Sequence, residues 1–98
     1  MVTYFIKPSD KHTLVSQSTT SLTKARRIAC ATIGKGYASA FICTKIRSPS
    51  LYLHLVEDIW YDHLENRYCC QKFVDGTDEY AEDWGIIDLR DGKVKWVN

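Results

Sequence analysis

A chain of 98 residues with 45% hydrophobic and 26% charged side chains and a formal net charge of +1 is long enough for one globular domain, residues 1–98, and too apolar for a disordered one. The N-terminal apolar run VTYFI is too short for a signal-peptide core or a membrane span, so a cytoplasmic protein with no membrane partner is expected. In that compartment Cys30, Cys43, Cys69 and Cys70 are expected as reduced thiols.

In chain order, VTYFI and HTLVS (12–16) are β-rich and separated by Lys7, Pro8 and polar residues, which predicts a hairpin with a five-residue loop. Residues 21–34 form the main helix signal. Thr20 or Ser21 can cap its first turn, and Gly34 can supply the left-handed residue that ends it. At 100° per residue Leu22, Ala25, Ala29, Thr32 and Ile33 share one face with Ile28 at its edge, while Lys24, Arg27 and Ala31 lie opposite. Alanines on the inner face let the helix sit close to a sheet.

Three extended runs follow, at 38–45, 51–61 and 67–74, joined by the turn-rich stretches IRSPS and DHLEN, so successive antiparallel pairing is expected. In the second run Leu51, Leu53 and Leu55 alternate with Tyr52 and His54, and Ile59 resumes the same parity after Glu57, which predicts one continuous core-facing side. Residues 78–84 allow a short second helix. The last segment, IIDLRDGKVKWV, reads as a hairpin turning at Asp91 and Gly92. The expected class is α+β: a mostly antiparallel sheet of about five to seven short strands packed by one amphipathic helix.

Several chemistries fail on their spacing. Residues 75–86 open with Asp75 like a calcium loop, but Tyr80 stands where the turn glycine belongs and Ile86 where the bidentate glutamate belongs. Zinc sites gather ligands as CxxC knuckles or close His pairs, whereas Cys69 and Cys70 point to opposite faces of a strand and His12, His54 and His63 are scattered. Buried small thiols are the expected role for Cys43 and one of the adjacent pair. Cys30 lies one turn from Arg26 and Arg27, but in the half of the helix whose dipole disfavours a thiolate. The order helix, three strands, helix over 22–84 is that of a double-stranded RNA-binding domain, yet its second helix must be basic and this segment is acidic. No metal, cofactor or catalytic residue is assigned. A catalytic alternative would need His54 or His63 beside carboxylates or Cys in a concave site, or a cluster of Asp58, Asp62, His63 and Glu65.

What remains is binding. Residues 1–50 carry eight basic side chains against Asp10 alone, +7, and residues 51–98 carry five against eleven acids, −6. Such asymmetry points to a charged partner. In DGTDEYAEDWG the acids Asp75, Asp78, Glu79, Glu82 and Asp83 surround Tyr80 and Trp84. Carboxylates steer encounter with a basic surface and aromatics anchor it. The expected function is a non-enzymatic accessory or inhibitory protein, monomeric or homodimeric, that binds another protein through these residues. Its size and charge polarity fit a phage or other mobile element. The alternative is nucleic-acid binding through Lys24, Arg26, Arg27 and Lys35.

Overall fold

The computed structural model describes residues 1–47 and 51–97. Its elements are β1 (Tyr4–Pro8), β2 (Ser18–Thr19), α1 (Leu22–Ile33), β3 (Ser39–Arg47), β4 (Leu51–Asp62), β5 (Arg67–Phe73), β6 (Tyr80–Ile87) and β7 (Val94–Val97). All seven strands form one antiparallel sheet in the order β2-β1-β3-β4-β5-β6-β7. The α+β class, the single main helix and the consecutive pairing from β3 onward agree with the sequence reading. Residues 48–50 of the turn IRSPS lie outside the described residues.

Ser21 caps the helix, its Oγ accepting from the Lys24 amide at 3.3 Å. Gly34, however, keeps right-handed geometry (φ −60°), and the left-handed residue that turns the chain out of the helix is Gly36 (φ +115°). The buried face of α1 also holds more than alanines and Ile33: Arg26 and Cys30 lie within it. Small residues Ala25 and Ala29, fully buried, bring the helix down onto Ile6, Ala40, Ile42 and Ile59 of β1, β3 and β4. The sheet curls round the helix far enough for the β6–β7 turn to meet its first turn. There Arg26 Nη1 donates to the Gly92 carbonyl at 3.2 Å, and a side chain on Gly92 would collide with the Thr23 backbone.

Three sequence expectations are corrected. HTLVS is not a strand: the Val15 amide donates once to the Ile6 carbonyl and its side chain plugs the helix-side core, and pairing with β1 occurs only at Ser18–Thr19. Residues 78–84 are not helical. Tyr80 pairs with Phe73 and Trp84 with Gln71, so residues 80–84 are strand with an irregularity opposite Lys72, and cross-strand pairing overrides local helix preference. Finally, the parity of β4 breaks. Ile42 pairs with Glu57 but Cys43 pairs with Leu55, leaving Val56 as the extra residue of a bulge. Leu53 and Leu55 therefore face one side of the sheet while Glu57 and Ile59 face the helix on the other.

Candidate functional site

Register across the sheet separates two faces. On the helix side, centred among the apolar residues, Glu57 is 1% exposed and Arg26 7%. They form a forked pair, Arg26 Nε donating to Oε1 at 2.9 Å and Nη2 to Oε2 at 2.7 Å. Burial works against the Arg26 charge, but the hydrogen bonds and attraction of Glu57 outweigh it and hold its pKa above the ordinary arginine value. The pair is a structural clamp that joins helix, central strand and final hairpin. It removes Arg26 from the proposed basic patch, because its donors are already bound to Glu57 and Gly92. Lys24, Arg27 and Lys35 remain exposed around the helix.

The four cysteines are free thiols, all buried. Burial pushes Cys30 and Cys70 up to about 12 and Cys43 up to about 11 and raises Cys69 as well, which favours the protonated thiol over the nucleophilic thiolate at neutral pH. Both members of the Cys69–Cys70 pair are core, not one: Cys70 (0% exposed) faces the helix, and Cys69 (2% exposed) is buried on the other face among its large cross-strand neighbours Trp60 and Ile86. Among the described residues no three His, Cys, Asp or Glu side chains converge as a metal site. His54 Nε2 lies 3.2 Å from Asp75 Oδ1, but that carboxylate is fully exposed. His63 is exposed and packs edge-on against Tyr61, while Asp62 accepts from the Leu64 amide and from Arg67.

The face away from the helix is the unusual one. An antiparallel sheet covered on one side normally turns polar residues to the other. Here one row across six strands reads Lys7, Phe41, Asp58, Gln71, Trp84, Val97. The next reads Ser39, Trp60, Cys69, Ile86, Lys95. Leu53, Leu55, Phe5 and Phe73 share this face by the same register. At one end the β5–β6 turn leans over it, and Gly76, Thr77 and Asp78 close a cleft of about 340 Å³ with Phe41, Leu53 and Leu55.

The acidic stretch is divided by this geometry. Asp75, Asp78 and Glu79 are exposed in the turn at the edge of the face. Tyr80 and Trp84 lie on the face itself by their pairing with Phe73 and Gln71. Glu82 is exposed and Asp83 half-buried in the irregular part of β6. Tyr80 stacks on Phe73 with centroids 4.8 Å apart, and its hydroxyl donates to Asp58 Oδ2 at 2.7 Å. That hydrogen bond, with burial second, pushes the Tyr80 hydroxyl up to about 12. Burial raises the Asp58 carboxyl above its ordinary range, against the opposing pull of the Tyr80 hydroxyl and the Ile59 amide.

The sequence reading found the acidic aromatic stretch but not the face to which its aromatics belong. Phe41, Trp60, Leu53 and Ile86 come from three strands, and no local pattern links them. A partial signal was present: LYLHLVEDIWY has large apolar residues at both parities, which a strand with one wet face does not need. Comparison with protein-family models, with curated proteins and with solved structures finds no match.

Proposed function

We propose that this chain is a non-enzymatic accessory or inhibitory protein that binds another protein through the uncovered face of its sheet, with the acidic β5–β6 segment as the rim. The observation that carries the reading is the apolar and aromatic content of a sheet face that the helix leaves uncovered. Contiguous apolar surface rimmed by polar groups characterises protein–protein sites, and Trp and Tyr are enriched at their energetic centres. A reducing, cytoplasmic setting fits four buried thiols with no disulfide among them.

Nucleic acid is the weaker candidate ligand. Between Lys72 and Arg90 the chain has six acids and no Lys or Arg, and Asp58 sits in the middle of the open face. Both oppose a polyanion. The basic residues left free on the helix, Lys24 and Arg27, lie on the opposite side of the molecule from the aromatics.

The test is affinity capture with the tagged chain from its source organism, followed by hydrogen-exchange footprinting of the purified complex. Protection is expected on β4, β5 and β6, and capture should be lost in Leu53→Lys and Trp84→Lys while Arg27→Glu captures normally. A footprint confined to α1, or capture indifferent to both open-face substitutions, refutes the reading.

A further inference from the structure

We infer that Asp58, framed by Phe41, Phe73 and Tyr80, is the seat for an arginine side chain of the bound protein; this rests on the reading of the open face as the binding surface and specifies its partner as basic. Asp58 Oδ1 is the one buried side-chain polar atom without a hydrogen-bond partner among the described residues. Buried polar groups are nearly always satisfied, so an orphaned oxygen on a binding face calls for a donor from outside.

The neighbouring side-chain donors in the same row bond elsewhere. Gln71, the neighbour of Asp58 on β5, donates from its side-chain amide to the Ala81 carbonyl at 2.9 Å. Lys7, two strands away in the same row, donates to its neighbour's carbonyl on Pro8 and lies over the Phe41 ring at 5.7 Å. Among side chains Tyr80 alone reaches the carboxylate, and it binds the other oxygen; the Ile59 amide lies near the carboxylate, yet Oδ1 has no hydrogen-bond partner. Meanwhile the rings form a chain, Phe41 to Phe73 at 6.0 Å and Phe73 to Tyr80 at 4.8 Å, beside the carboxylate. A planar guanidinium is the group that combines charge-assisted hydrogen bonds to a carboxylate with packing on aromatic faces.

Charge complementarity selects the occupant. The rim contributes Asp75, Asp78, Glu79 and Glu82, all exposed, with no basic residue between Lys72 and Arg90. A second copy fits poorly, because a two-fold axis near the middle of this face would set Asp58 against its own counterpart, two desolvated carboxylates together. Oδ1 is shielded from water in the unbound chain, so seating a guanidinium requires a local shift; Tyr80, 52% exposed and held by one stack and one hydrogen bond, is the framing residue with room to make it.

The isotope-labelled chain is titrated with a tetra-arginine peptide and followed by NMR. Saturable shifts are expected at the Asp58 carboxyl carbon and the Tyr80 and Phe73 rings, and Asp58→Asn should weaken binding about tenfold. Tyr80→Phe, which frees the second oxygen, should bind more tightly than the parent and keeps the test decisive if Asp58→Asn does not fold. Shifts confined to residues 75–79, unchanged affinity in a folded Asp58→Asn, or weaker binding by Tyr80→Phe overturns the inference. A concentration-dependent dimer in sedimentation that Leu53→Lys abolishes also overturns it, by making the occupant a second copy. Any of the peptide failures leaves the protein-binding reading standing if the complex still footprints on β4–β6. A footprint on α1 removes that reading whatever the peptide does.

Discussion

Replacing Arg26 by Met tests the account of the core most directly, because it removes a charge while nearly preserving side-chain volume. Glu57, 1% exposed, then loses hydrogen bonds of 2.9 and 2.7 Å, and the Gly92 carbonyl loses a third at 3.2 Å. Breaking one side of a buried pair typically costs about 3–5 kcal/mol, because the remaining charge is stranded. A domain of this size shifts in Tm by about 4–8 °C per kcal/mol, so a fall of about 15–30 °C follows. The double replacement Arg26→Met with Glu57→Met leaves no stranded charge and should lie within about 2 kcal/mol of the parent. Urea titrations of the parent, both single variants and the double variant form a thermodynamic cycle, with an expected coupling of about 3 kcal/mol. Additive losses, or a cost under about 1 kcal/mol for Arg26→Met, would refute the claim that the two side chains act as a buried unit.

The thiols and the final turn give two further tests. Cys30, Cys43 and Cys70 titrate at about 12, about 11 and about 12 in the folded chain against 9 for an open thiol. Their contribution to stability is therefore complete below pH 9 and is lost as the pH rises toward 11 to 12, so Tm should fall progressively above pH 9. At pH 8 a thiol reagent should react at the rate of unfolding, and fast labelling of Cys30 in the native chain would contradict its burial. Gly92→Ala places a side chain at φ +74° and against the Thr23 backbone, and should cost at least about 2 kcal/mol in urea unfolding. A neutral result would mean that the β6–β7 turn does not rest on the helix.

The helix and the strands after it were legible because their signals are local. A cap at Ser21, an alanine face, and apolar runs separated by turn residues each depend on neighbours within a few positions. Where the reading failed, the cause was a partner distant in sequence. HTLVS has strand-forming residues, but Val15 is used as a plug against the helix-side core. Residues 78–84 have a helical spacing of aromatics, yet Phe73 and Gln71 recruit Tyr80 and Trp84 into a strand. Arg26 looked solvated beside Arg27, and only Glu57, 31 positions away, gives it a reason to be buried.

The sequence by itself determined the class of fold, because period and turn chemistry are written residue by residue. It also determined which catalytic and metal chemistries are unsupported, since those need particular spacings. Only the tertiary structure decided which side of the sheet each strand presents. The bulge at Val56 turns Leu53 and Leu55 away from the helix while Glu57 and Ile59 stay toward it. Side chains alternate with a period of two, so one extra residue exchanges faces for everything before it, and no count along the chain shows where that residue lies. For the same reason the aromatic face and the unpartnered oxygen of Asp58 are properties of the assembled sheet, built from strands whose individual patterns do not mention one another.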